Sequence, residues 1–303
     1  MDRKKVIRIL ANILYTTIMV VIEIFLAIKR AIESVFIFFK NNWIYLVWFS
    51  FYFTLFWIIT DGISSVFYFV SIPLALSPIA EEIWRLVSGV RPLRVRTERQ
   101  RLLPLFKEVY TGARKADPRL SKRIRLYIKE DMTINAFAFG RSTLVLTRGS
   151  IELLDDECLQ GLMAHELGHF SCKHTQAILI TMVGNLPMTI LNRKLADIKN
   201  HYSCTGTRKT LIAGIFIIFF DFLYYICRAL EFIGELILMY SRREHEYNAD
   251  WFALHSGFGE ELRNVLKEIY SVSISKPETV REQLKSTHPH ITRRIEELET
   301  VII

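Results

Sequence analysis

The sequence predicts a mainly α-helical membrane protein, with transmembrane helices attached to a polar domain that carries a small β element at its cleft. Three observations predict it. Apolar residues make up 51% of the 303, and the mean hydropathy of +0.23 is high for a soluble chain of this size. The apolar excess is gathered into a few runs of membrane-crossing length rather than spread evenly. Outside those runs the pattern is chiefly helical, with two short alternating stretches that read as strands.

Taken in order, Arg3, Lys4, Lys5 and Arg8 precede an apolar run from Ile9 to Ile28 broken only by Glu23. The run is too long for a signal-peptide core. Lys29-Arg30 follows it directly, with no small-residue cleavage site, so it reads as a retained membrane helix. Trp43 to Val70 is apolar and aromatic apart from Asp61-Gly62, and is taken as one tilted span. The alternative is a hairpin of Trp43–Thr60 and Ile63–Ala80, whose second arm would hold Ser64, Ser65, Ser71, Pro73 and Pro78. Residues 1–80 thus form an N-terminal membrane region of about two helices.

From Glu81 the composition becomes that of a polar domain, 81–303. Arg85, Arg91, Arg94, Arg96, Arg99 and Arg101 crowd its start, and a basic stretch just after a span marks the cytoplasmic side. Lys+Arg 39 against Asp+Glu 31 leaves a net charge of +8, but no aromatic interleaving accompanies the basic residues, so no nucleic-acid partner is expected. Leu102 to Arg114 has helical periodicity that ends at Asp117-Pro118, and Ile124–Ile128 and Ser142–Thr147 read as strands flanking Asn135-Ala136-Phe137-Ala138. Two further apolar stretches, about 176–192 and 211–240, interrupt the domain as membrane-associated helices. The basic segment between them, with Arg193, Lys194, Lys199, Arg208 and Lys209, sits badly in an outside loop, so whether they cross or dip and return stays open. Cys158, Cys172, Cys204 and Cys227 lack metal or disulfide spacing and read as small buried residues.

The chemistry lies in His165-Glu166-Leu167-Gly168-His169, preceded by a helix-like stretch from Leu153 to Ala164. On a helix, positions four apart stand one above the other, so both imidazoles can converge on one metal ion. Glu166, one residue round, is placed to take a proton from a water on that ion. A catalytic zinc site needs a third protein ligand and one open position. Glu246 and Asp250, one turn apart in Ser241-Arg242-Arg243-Glu244-His245-Glu246-Tyr247-Asn248-Ala249-Asp250, are the candidates: one carboxylate to bind, the other to accept a ligand histidine's free N–H. His174, His201, His245 and His255 read as surface or satisfied histidines, with His174 turned off the face of His169.

The order HELGH, two membrane-associated helices, SRREHEYNAD and then Ser286-Thr287-His288-Pro289 resembles the HtpX family of membrane zinc metallopeptidases, relatives of the CAAX prenyl proteases. The resemblance covers nearly the whole chain. It implies a gluzincin-like metallopeptidase domain over 81–303, with one zinc ion held by His165, His169 and Glu246 and with Glu166 as the base. Asp250 becomes the partner of these ligands, and Asn135-Ala136-Phe137-Ala138 the edge along which an extended peptide lies. His288 would donate to the oxyanion, and Arg294, six residues on, would pair with Asp250. One departure is His290, where a second proline is common.

On the last apolar stretch Asp221, Arg228 and Glu235 are seven apart and Glu246 follows eleven later, so on a continuous helix they share a face. Two readings follow: a polar stripe lining a wet cleft, or an internal Asp221–Arg228 ion pair. The expected activity is membrane-embedded, zinc-dependent endopeptidase action on misfolded or damaged membrane proteins, in the cell inner (plasma) membrane with the site facing the cytoplasm. The partners are the bilayer and an extended protein or peptide substrate. The alternatives are a dedicated processing protease for a small exported or lipidated peptide, and a catalytically silent membrane scaffold.

Overall fold

The computed structural model describes residues 41–204, 211–273 and 291–302, with isolated helical positions before residue 41. The expected span Ile9–Ile28 falls almost wholly outside the described residues, as do the Ser286–Pro289 motif and His288. Residues 1–40 form a unit distinct from 41–303, and the account below concerns the latter.

The run read as one span is broken in two. Helix α1 (Trp43–Ile59) ends at a turn in which Asp61 and Gly62 take φ of 50° and 84°, and α2 (Ile63–Ala75) folds back along it. Tyr68 packs edge-on to Phe49 at 5.5 Å, as a hairpin requires. Glycine takes that left-handed backbone without cost, and Asp is among the few residues that tolerate it. The polar and proline residues of the second arm do not prevent helix formation: Ser71 bonds back to the Phe67 carbonyl, and Pro73 lies within the helix. Among the described residues no single helix is both long and apolar enough to cross a membrane. The pair Ser65–Ala75 and Pro78–Val87, bent by 72°, meets length and composition together.

Helix α3 (Pro78–Val87) starts on Ser77, whose hydroxyl accepts from the Ala80 N–H, with proline at its first position. Strand β1 (Val90–Pro92), helix α4 (Arg96–Ala116), and strands β2 (Arg125–Lys129), β3 (Ala136–Phe139) and β4 (Thr143–Thr147) follow. The sheet order is β1-β2-β4-β3, with β2 and β4 parallel and the other pairs antiparallel, so β3 is an edge strand. Buried Glu81 on α3 holds the β3–β4 turn by accepting from the Arg141 and Ser142 N–H groups and the Ser142 and Thr143 hydroxyls. Trp84, one residue short of a full turn further, stacks on Phe139 at 3.8 Å. Thus α3 fastens the edge strand from behind.

Helices α5 (Arg148–Leu153) and α6 (Asp156–Ser171) lead into the domain core. Asp155 caps α6 by accepting from the Cys158 N–H at 2.7 Å. Residues 161–168 of α6 are buried on every side, because α4, β3, α8 and α9 all pack on it. Its surroundings are built by Leu102 and Val109 of α4, Ile128, Leu144 and Leu146 of the sheet, and Leu262 and Val265 of α9. Helix α7 (His174–Cys204) outruns the expected 176–192 and carries Arg193, Lys194 and Lys199 of the basic segment between the two apolar stretches. Helix α8 (Leu211–His255) is continuous over 45 residues, from the expected 211–240 through Glu246 and Asp250. Helices α9 (Gly259–Ser273) and α10 (Ile291–Ile302) complete the order.

The polar stripe of α8 has other partners than expected. Asp221 lies 3.6 Å from Lys199 of α7, and Arg228 bonds Glu231 at 2.7 Å, so no Asp221–Arg228 pair forms. At seven residues the two are about two turns apart on one face, and each finds a nearer opposite charge.

Arg91 of β1 and Arg148 at the start of α5 bracket Glu98 of α4 and Glu130, just after β2, at 2.7–3.0 Å. Hydrogen bonds from Arg148 and Arg91 bring the Glu130 carboxyl from 4.5 down to about 2. A carboxylate held below its unfolded value contributes stability that is complete above about pH 4.5 and lost as pH falls through about 2. Melting temperature should therefore decline from pH 5 to pH 2, and in Arg148→Gln the decline should be shallower; equal slopes in the two proteins would contradict the network's role.

Candidate active site

Three helices supply the site. The close approach of α6 to α8 is set by Gly168, where an added Cβ would come within 2.8 Å of the Ala249 Cα. That contact faces the HELGH turn toward the Glu246–Asp250 turn. One ligand atom each from His165, His169 and Glu246 lie within 4.8 Å of one another, a grouping able to hold a metal ion. His165 Nε2 is 3.4 Å from Glu246 Oε2, and His169 Nε2 is 3.6 Å from Glu246 Oε1.

Each imidazole is oriented from behind. His165 Nδ1 is 2.8 Å from Asp250 Oδ1, which directs Nε2 to the cluster. Arg294 of α10 forks onto Asp250, with Nε to Oδ2 at 2.7 Å and Nη2 to Oδ1 at 2.6 Å, and its Nη1 reaches Glu246 Oε2 at 3.1 Å. His165, Glu246, Asp250 and Arg294 are buried, as is Glu166, while His169 is half-buried. Burial works against ionised Asp250, but the guanidinium of Arg294 outweighs it and holds the carboxyl below its ordinary range. Burial also pulls His165 down, yet Asp250 and Glu246 prevail and lift it up to about 10; burial pushes His169 down to about 3. The carboxylates therefore favour positive charge where the three ligand atoms meet.

The partner of His169 was not foreseen. His174 is fully buried, and its Nδ1 lies 3.0 Å from His169 Nδ1. The helical-wheel reading fails here because α6 stops at Ser171 and Lys173, at φ 64°, turns the chain back on itself. His245, one of the histidines read as surface or satisfied, is 2% exposed and stacks on His174 with ring centroids 3.7 Å apart; Tyr45 of α1 stacks on it in turn at 5.1 Å. Burial keeps His174 and His245 well below the usual histidine value, the latter at about 4. Of the other histidines, His201 and His255 are exposed as expected.

The structure thus brings together His165, Glu166, His169, Glu246, Asp250 and Arg294. Ala136, Phe137 and Ala138 lie on β3, the edge strand packed on α6, and Asn135 immediately precedes it. The Asn135 N–H is taken by Thr147 and Ser150 hydroxyls, which pins the strand's entry.

The model of peptidase family M48 matches residues 104–302, which hold every one of the clustered side chains. The chain belongs to that family. Its relatives include a protease HtpX homolog of Methanothermobacter thermautotrophicus, 29% identical over 164 residues, covering 48% of this chain and 54% of that protein. A protease HtpX homolog of Helicobacter pylori is 30% identical over 200 residues, covering 59% and 61%. The CAAX prenyl protease 1 homolog of Dictyostelium discoideum is 28% identical over 140 residues, covering 43% and 31%. The match thus spans about half the length of the first of these relatives. The crystal structure of S. mikatae Ste24p is similar with a TM-score of 0.49 at 20% identity, covering 90% of this chain and 66% of that one.

Two outcomes follow for this M48 chain. Gly168→Ala forces backbone apart between α6 and α8, and should cost about 1–3 kcal/mol in chemical unfolding; an unchanged unfolding midpoint would mean the contact gives without strain. Arg294→Leu leaves two buried carboxylates without their guanidinium and should cost about 3–5 kcal/mol in the metal-free protein, read the same way.

Proposed function

We propose that the chain is a zinc-dependent endopeptidase working at a membrane, with His165, His169 and Glu246 as metal ligands and Glu166 as general base. The observation that carries this reading is the convergence of three ligand atoms within 4.8 Å, with both imidazoles turned by hydrogen bonds at Nδ1 so that Nε2 faces the cluster. Two imidazoles and a carboxylate are the donor set of a hydrolytic zinc site rather than of a calcium or magnesium site. When bound, zinc supplies Lewis acidity, polarising a peptide carbonyl and making a water acidic near neutral pH.

The chain's own groups do the rest. Glu166, on the same helix turn as His165, takes the proton of the attacking water on its carboxylate and hands it to the leaving amine. Asp250 holds His165 by Nδ1, and Arg294 keeps Asp250 ionised while steadying Glu246. The substrate lies extended against β3, whose outer backbone groups pair with a peptide while asking little of its sequence. That tolerance supports misfolded or damaged membrane proteins as substrates, hence a quality-control role. His288 is placed by resemblance as an oxyanion donor.

Membrane association is supported by the apolar surface of α1, α2 and the first half of α8, where Trp57, Ile58, Phe69, Ile218 and Phe222 face outward. Their inner faces bury Trp48, Tyr52, Phe56 and Tyr68 against Met188 and Cys227. The basic stretch after α3 supports a cytoplasmic site on an inner membrane.

In detergent with zinc added, the wild-type chain should cleave casein or itself. Glu166→Gln, at verified equal zinc content, should lose at least about 10³-fold in rate, within the range expected for removing a proton-transfer group. Equal zinc content with no cleavage by the wild type would turn the reading toward a non-catalytic scaffold.

A further inference from the structure

We propose that His174 is the positioning residue of His169, a hydrogen-bond acceptor that fixes which ring nitrogen His169 turns to the metal, and that the stacked rings of His245 and Tyr45 hold it in place. The inference rests on the metallopeptidase reading and deepens it.

The argument is one of proton placement. His169 can offer Nε2 to a metal only if its own proton is on Nδ1. Nδ1 is 3.0 Å from Nδ1 of His174, so that proton is donated there, and His174 must accept with a lone pair and carry its proton on Nε2. The reverse tautomer of His174 would point an N–H at His169 Nδ1 and force the His169 proton onto Nε2, the atom facing Glu246. The ligand geometry therefore selects one tautomer of His174.

Three features hold that ring. The turn at Lys173 brings it back over α6. The Thr175 hydroxyl beside it donates to the Gly140 carbonyl at 2.7 Å, tying the start of α7 to the β3–β4 turn. The His245 ring plane is 8° from parallel to it, and that of Tyr45 13° from parallel to His245, making a column from α1 to the site. His174 Nε2 has no hydrogen-bond partner among the described residues, so the ring's hydrogen bonding there is through Nδ1.

The two ligand histidines are thereby held by unlike groups. His165 rests on a carboxylate backed by a guanidinium, whereas His169 rests on a neutral imidazole. A neutral acceptor orients the ligand without adding charge to a site that already buries three carboxylates.

The test uses the full chain in detergent and measures zinc affinity by chelator competition, with cobalt absorption as a second view of the ligand geometry. His174→Phe keeps the stacked ring and removes the acceptor. His174→Asn puts an amide oxygen near the place of Nδ1, and His174→Gln puts one near the place of Nε2. Zinc should bind about 10–100-fold more weakly to His174→Phe and His174→Gln, while His174→Asn stays within about threefold of wild type. If the Phe variant does not fold, the Asn and Gln variants, both polar, carry the comparison. Equal affinity in the Phe variant and wild type, or equal loss in Asn and Gln, would overturn the inference. A wild type that binds no zinc would instead overturn the metallopeptidase reading itself.

Discussion

Ionised groups taken out of water are the constraint on which the rest of the architecture depends. Glu166, Glu246, Asp250 and Arg294 are all buried, three carboxyl side chains against one guanidinium. Their desolvation is tolerable only if each charge is met at short range, and that demand fixes three helices relative to one another. Helix α6 must come close enough for His165 to meet Asp250, and it does so over Gly168. Helix α10 must reach in with Arg294. A cation at the three converging ligand atoms would give the buried carboxyl side chains a further opposite charge at short range, so metal binding and folding are expected to be linked.

The sheet serves the same centre from the other side. Its edge strand is pinned at one end by Thr147 and Ser150, and at the turn by Glu81. Trp84 backs its aromatic face. An edge strand left loose would give a poor template for an extended chain, and here each fastening comes from an element that also packs the core or leads from the apolar hairpin.

Much of the site could be read from the amino acids because the chemistry is local. HELGH needs only one helical turn to place two imidazoles, and Glu246 and Asp250 need only another. What eluded the sequence was decided where helices stop. His174 was assigned to the wrong face because nothing in Cys172-Lys173 announces a reversal: no glycine or asparagine marks it, and a lysine takes the left-handed turn. The hairpin of α1 and α2 shows the converse, since Asp61-Gly62 is a plain turn signal that was outweighed by serines and prolines which the second helix accommodates. Glu81 was read as the first residue of a solvated domain, whereas it is a buried anchor. Its partners are 60 residues away, a distance that periodicity does not span.

Helix α8 runs unbroken from the apolar layer to the clustered ligands, 45 residues or about 68 Å of rod. A helix of that kind transmits register. One residue inserted anywhere between its outward-facing Ile218 and Glu246 would rotate one end against the other by about 100° and advance it about 1.5 Å. Either the apolar face would turn inward or the carboxylates would leave the histidines. Along this stretch, then, length is constrained more tightly than the identity of the outward-facing side chains, and the angle between the clustered residues and the apolar surface is set by the count of residues between them.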